Sequence, residues 1–347
     1  MKSYRIPIQC IIPPHMLEEL AKRGDDQAKA WALQSLTVSA QFRGQRQALG
    51  ALAAGAPSAG VKRRTVYDAK HTEDLPGTLL RGEGDPASQD ATVNEAYDGA
   101  GATYDLYRDV FKRNSVDDQG LRLDSTVHYG EAYDNAFWNG RQMVYGDGDG
   151  RFFNRFTSSV DVIGHELTHG VTQFTANLRY SGQSGALNES MSDVFGSLVK
   201  QFGLKQTADK ADWLIGQGLF TSQVQGTALR SMKAPGTAYN DPQFGKDPQP
   251  GRMHDYVKTT SDNGGVHINS GIPNRAFYLV AAQIGGYAWE KAGHIWYVTL
   301  TERLRSSANF QQAADATYDV AGKLFGTSGP EQKAVREAWA AVDINVK

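Results

Sequence analysis

The stretch Val160–Thr175, VDVIGHELTHGVTQFT, constrains this chain more than any other. Its apolar residues recur at helical spacing, and on a helix residues four apart project from one face, so His165 and His169 converge on one point. Neutral imidazoles in that arrangement suit Zn²⁺, and Glu166 can reach a water bound to such an ion. A catalytic zinc needs three protein ligands and one open position, so a further ligand must come from elsewhere. On the next helical pattern stands GALNESMSDVFG, where Glu189 and Asp193 again share a face. One of these carboxylates can bind the ion while the other takes the free N–H of a ligating histidine.

A chain of 347 residues admits two or three domains. Its 36 basic and 38 acidic residues are spread through the sequence, so it has no polycationic footprint, and neither nucleic acid nor membrane is expected as a partner. The single cysteine, Cys10, excludes an internal disulfide framework. The N-terminus, MKSYRIPIQCIIPPHML, places polar residues and prolines where a Sec signal needs an unbroken apolar core. The expected location is therefore the cytoplasm, or the exterior reached by a non-classical route.

Residues from Pro14 to about Phe42 read as a short helix followed by a strand-like LTVSAQF. Small residues with Gly and Pro in Leu49–Gly60, LGALAAGAPSAG, read as a flexible linker, with residues 51–60 as the processing region. Between Val61 and Phe156, short Tyr/Val/Phe-rich runs such as TVYDA, STVHYG and QMVYG favour strands, interrupted by one helix carrying Ala96, Tyr104, Tyr107 and Phe111. Beyond Ser158, helical periodicity marks Val160–Thr175, Ala186–Phe202, Ile272–Gln283, Gly293–Leu304, Phe310–Leu324 and Glu331–Val342. Ser159 or Asp161 could cap the first of these, Pro273 suits a first turn, and Gly326 suits a stop. The fold class is α+β: a β-rich part over residues 61–157, a helical part over 158–347, and a cleft between them.

HELTH followed by GALNESMSD resembles the thermolysin family of zinc endopeptidases. NAFWNGRQMVYGDGDG at Asn135–Gly150, Tyr180, ALRSM at Ala228–Met232 and DNGGVHINSGIPNRAFYL at Asp262–Leu279 are similar to the same family in the same order. The resemblance implies a two-domain zincin with one catalytic zinc held by His165, His169 and Glu189, and with Asp193 and Asn188 as partners of the histidines. It implies Glu166 as general base and proton shuttle, His267 oriented by Asp262, and Tyr180 as a second donor to the oxyanion. It further implies that Asn135, Ala136 and Arg230 hold the peptide backbone of peptide and protein substrates. Phe153, Phe156, Val162, Ile215 and Leu229 would line the pocket for the residue after the scissile bond, which predicts a preference for large apolar side chains there.

At the positions of the family's double calcium site, Asp161 and Asp212 remain, but Lys200, Leu214 and Gln217 replace the other ligands. A cationic ammonium is a poor neighbour for bare Ca²⁺, so the double calcium site is expected to be absent, with Lys200 pairing with an acid in its place. The GDGDG segment lacks the bidentate Glu of an EF-hand loop and reads as a tight turn. IIPPHMLEEL resembles the short propeptide of the protealysin-like subgroup. Residues 1–50 are accordingly expected to be an inhibitor in cis and a folding aid, removed by the enzyme itself, with Pro13 and Pro14 giving a stiff segment. Cys10 or His15 as a latent zinc ligand is a lesser reading. A proteinaceous inhibitor is admitted as a further partner, and an exopeptidase or a catalytically silent binding protein are the rival functions.

Overall fold

The computed structural model describes residues 9–50 and 60–347. Of the expected linker Leu49–Gly60, the first two residues end α2 and Gly60 is described, while residues 51–59 lie outside the described residues. The described chain opens with a short strand, β1 (Gln9–Cys10), and two helices, α1 (Pro14–Arg23) and α2 (Asp26–Gly50). Pro13 is extended and Pro14 opens α1, where a missing N–H goes unused. Asp25 caps α2 by accepting from Ala28 N at 3.0 Å. The segment Leu36–Phe42, expected as a strand, lies within α2. Thr37 and Val38 lower helix propensity only slightly, whereas Ala28, Ala32, Ser35 and Ser39 recur every three or four residues and are buried. Burial of that one face decides for helix.

Five further strands, β2 (Arg64–Asp68), β3 (Thr78–Arg81), β4 (Leu123–Val127), β5 (Ala136–Trp138) and β6 (Met143–Tyr145), join β1 in a six-stranded sheet of order β1-β5-β6-β4-β2-β3. The inner strands β2, β4 and β6 are parallel, while β1 runs antiparallel along β5, with Gln9 opposite Trp138 and Cys10 opposite Phe137. The N-terminal segment thus supplies an edge strand to the sheet. The one helix within this region, α3 (Ala91–Asp109), is capped by Asp90 and buries Ala96, Tyr104 and Tyr107; Phe111 is buried just beyond its end.

The remaining chain forms α4 (Val160–Gln173), α5 (Gly182–Leu204), a two-stranded ribbon of β7 (Leu214–Ile215) and β8 (Arg230–Ser231), and then α6 (Asp262–Asn269), α7 (Gly271–Ile284), α8 (Ala292–Val298), α9 (Phe310–Phe325) and α10 (Pro330–Ala341). Every expected helix is present. The one read as Gly293–Leu304 divides into α8 and a wider π-helical turn, Thr299–Arg303. Ser159 precedes α4 without capping it, because its hydroxyl donates to Asp161 and to the Gln217 carbonyl. Gly326 ends α9 with φ 103°.

Helices α4 and α5 meet glycine against glycine. A Cβ on Gly196 would lie 2.4 Å from the Asp161 carbonyl, and one on Gly164 would lie 3.1 Å from Gly196 Cα. This close approach brings the Glu189/Asp193 face of α5 onto the histidines of α4.

Candidate active site

His165 and His169 are fully buried, and their Nε2 atoms lie 3.0 Å apart. Glu189 reaches across from α5, with one carboxylate oxygen 3.5 Å from each Nε2. The Nδ1 of His165 faces Asp193 at 2.8 Å, and that of His169 faces Asn188 Oδ1 at 2.9 Å. Both Nδ1–H groups are therefore committed to acceptors, which turns two Nε2 lone pairs and a carboxylate toward one point. Such a set demands a positive charge at its centre, and two imidazoles with one carboxylate are the donors of a catalytic zinc site. The electrostatics agree: burial opposes charge on His165, yet Asp193 and Glu189 outweigh it and raise its pKa to about 9. Burial works against the Glu189 carboxylate too, but the nearby His267, His169 and His165 hold its pKa well below the usual range.

Glu166, buried beside the pair, accepts a hydrogen bond from Trp138 N at 3.0 Å, which ties the acid to β5. On the opposite side, the Tyr180 hydroxyl donates to Glu189 and lies 3.1 Å from His267 Nε2. Asp262 holds His267 twice, through its ring Nδ1 at 2.6 Å and its backbone N–H at 2.8 Å. The geometry depends on four successive residues with positive φ, Asp262 to Gly265, of which Gly264 and Gly265 have φ of 88° and 74°. Burial lowers the tendency of His267 to carry charge, but Asp262 and Glu189 raise its pKa to about 9.

The residues expected to hold a substrate backbone hold the chain's own N-terminal segment. Ile11 N–H donates to the Ala136 carbonyl at 3.2 Å, Ile12 N–H donates to Asn135 Oδ1 at 3.0 Å, and Arg230 donates to the Ile11 carbonyl at 3.1 Å. Phe153, Phe156, Val162, Ile215 and Leu229 are all buried within the main hydrophobic core, with Leu229 N–H bonded to the Ile215 carbonyl at 3.0 Å. Neither Cys10 nor His15 turns toward the histidines: the Cys10 thiol faces Ser39, and the His15 ring lies 3.0 Å from the Tyr239 hydroxyl.

Several contacts were not legible in the sequence. Arg230 also forms a two-pronged ion pair with Asp193 at 2.8 and 2.9 Å, and Asn274 donates to the same carboxylate at 2.8 Å. The Arg230 guanidinium, more than the His165 ring, overcomes the effect of burial and lowers the Asp193 pKa to about 2. Ser192 lies 2.9 Å from His169 Nδ1. Only the helical spacing of Ser192 and Asn274 with neighbouring buried residues hinted at an inward position. The GDGDG turn is as expected, with Asp149 accepting from the N–H groups of Arg151, Phe152 and Phe153.

A helix-borne HExxH pair completed by a glutamate from the following helix, beneath a sheet edge, defines the chain as a zinc metallopeptidase. Residues 58–173 match the model described as thermolysin metallopeptidase, catalytic domain, and residues 176–344 match thermolysin metallopeptidase, alpha-helical domain; the chain belongs to this family. It is 49% identical to an extracellular metalloprotease of Pectobacterium carotovorum subsp. carotovorum, over 98% of both chains. It is 54% identical to protease PrtS of Photorhabdus sp. (strain Az29), over 82% of this chain and 77% of that protein. Among solved structures it is similar to the precursor of protealysin, a metalloproteinase from Serratia proteamaculans, with a TM-score of 0.89, 52% identity, and coverage of 97% of this chain and 99% of that one.

The protein is thus a protealysin-like zinc protease made with a propeptide. The expected cytoplasmic location is overturned: the Pectobacterium relative, similar along its whole length, is named an extracellular enzyme, which points to secretion.

Proposed function

We propose that this protein is a self-processing endopeptidase zymogen whose zinc is held by His165, His169 and Glu189. The observation that carries the reading is the convergence of those three side chains, with both histidine Nδ1 atoms already committed to Asp193 and Asn188. When bound, zinc lowers the pKa of a coordinated water from about 15.7 to about 7 and polarises the scissile carbonyl. Glu166 takes the proton of the attacking water and delivers it to the leaving nitrogen. Tyr180 and the imidazolium of His267, held by Asp262, donate to the carbonyl oxygen as it gains negative charge. Asn135, Ala136 and Arg230 keep the substrate backbone extended along β5.

The pocket of Phe153, Phe156, Val162, Ile215 and Leu229 favours Leu, Phe, Ile or Val after the scissile bond, since burying such a side chain contributes about 1.5–3 kcal/mol. Residues 1–50 are the propeptide, 51–60 carry the processing region, 61–157 form the β-rich part and 158–347 the helical part of the enzyme. Lys200 stands in for the double calcium site. The test combines zinc analysis with cleavage of casein and of an internally quenched peptide blocked at both ends, with and without chelator. Cleavage that the chelator abolishes supports the reading. A zinc-loaded, processed protein that leaves the blocked peptide intact overturns endopeptidase action.

A further inference from the structure

The propeptide does more than cover the cleft. Its backbone contacts fall in a register that distinguishes one peptide bond from all its neighbours. His267 Nε2 lies 3.0 Å from the carbonyl oxygen of Cys10. The next residue, Ile11, gives its N–H to Ala136 and its carbonyl to Arg230, and Ile12 gives its N–H to Asn135. Of the two side chains proposed for the oxyanion, His267 thus meets Cys10, while Ala136, Arg230 and Asn135, proposed to hold the substrate backbone, meet Ile11 or Ile12. Strand pairing fixes the direction, since β1 runs antiparallel to β5, whose Trp138 N–H also holds Glu166. The Ile11 side chain is fully buried, and isoleucine is among the residues proposed to be preferred after the scissile bond. A slip of one residue would turn each side chain to the opposite face and break these pairings together.

We infer that the Cys10–Ile11 bond occupies the scissile position of this protein's own active site, and that the zinc-loaded precursor hydrolyses it in cis. The inference rests on the catalytic roles proposed above. In the step, a solvent water adds its oxygen to the Cys10 carbonyl carbon and gives a proton to Glu166. The C–N bond then breaks as Glu166 passes that proton to the Ile11 nitrogen, and the second proton of the water follows it, so that Cys10 ends as a carboxylate and Ile11 as an ammonium group. Residues 1–10 are severed from the chain. Residues from Ile11 onward stay docked, because α1 and α2 carry their own buried contacts, including Met16, Leu17 and Leu20. Latency therefore outlasts this cut.

The experiment is intact-mass analysis with N-terminal sequencing of zinc-loaded precursor, beside the Glu166→Ala variant. The expected result is a wild-type species beginning IIPPH, formed at a first-order rate that does not change over a tenfold range of protein concentration, and an uncut bond in the variant. A rate that scales with concentration, or the same cut in Glu166→Ala, overturns the inference. The blocked quenched peptide is assayed on the matured enzyme in parallel. If it is cut while Cys10–Ile11 survives, the inference fails and the endopeptidase reading stands; if neither is cut, that reading fails too. A readout independent of turnover is the ¹³C resonance of the Cys10 carbonyl in metal-free precursor. It should move in His267→Ala and leave the Gln9 carbonyl in place, whereas an unmoved Cys10 resonance overturns the assigned register.

Discussion

The ammonium of Lys200 lies 2.8 Å from Asp212 and 3.1 Å from Asp161, and so sits between the two acids proposed as remnants of a calcium site. It also donates to the Leu214 carbonyl at 3.3 Å. Burial disfavours its charge, but the two acids outweigh that and raise its pKa, so the cation persists at neutral pH. Replacing Lys200 with Met leaves the buried Asp161 without its counter-charge, and breaking such a pair costs on the order of 3 kcal/mol. Urea denaturation of the mature enzyme should show that loss. Added calcium or a calcium-selective chelator should leave the wild-type Tm unchanged, and a calcium-dependent rise in Tm would refute the substitution of ion by lysine.

Asp193 collects His165, Arg230 and Asn274 around one carboxylate, and so links the proposed metal site to β8. Asp193→Asn keeps the shape but loses the charge that orients and enriches the His165 ring. Loss of such a partner lowers metal affinity about 10–100-fold. Competition with a chromogenic chelator should read that drop directly. An unchanged zinc affinity would mean that Asp193 serves Arg230 alone.

The convergence of the proposed ligands was legible because helical spacing converts sequence separation into direction: four residues place His165 beside His169, and Glu189 beside Asp193. The resemblance then supplied Tyr180, Asp262 and His267, which no periodicity could have brought together. What escaped was set by packing between distant segments. Leu36–Phe42 looks like a strand in isolation and is helical because Ala28, Ala32, Ser35 and Ser39 bury one face. Nor does any local pattern say that Arg230 serves both Asp193 and the Ile11 carbonyl, a consequence of β8 lying between α5 and the propeptide.

Gly196 tests how tightly the metal site depends on helix spacing. An added Cβ would meet the Asp161 carbonyl at 2.4 Å and His165 N at 3.0 Å, and backbone cannot swing aside as a side chain can. Gly196→Ala should therefore push α5 from α4 and destabilise the enzyme by about 1–3 kcal/mol. Because Glu189 rides on α5, zinc affinity should fall as well. A thermal melt with unchanged Tm would show that the helices can part without strain.

His15 gives the propeptide a dependence on acid. Its ring is packed beside Tyr239, and the charged or titratable groups that bear on it are Asp262, His267, Arg230 and Glu19. Burial dominates and lowers its pKa from 6.5 to about 4. In the docked segment the ring is therefore neutral over a range where the released segment would take up a proton. Docking is unaffected above pH 6.5 and weakens as pH falls from there toward about 4, by at most tenfold per unit, because the released form binds the extra proton. Below that range both forms are charged and the penalty levels off. The measurement is amide hydrogen exchange at Ile11 and Ile12 in the Glu166→Ala precursor, corrected for the intrinsic effect of pH, beside the same precursor carrying His15→Gln. Protection should fall with acid in the first and fall less steeply in the second. Equal slopes would assign the acid response to other groups in the cleft and remove His15 from the account.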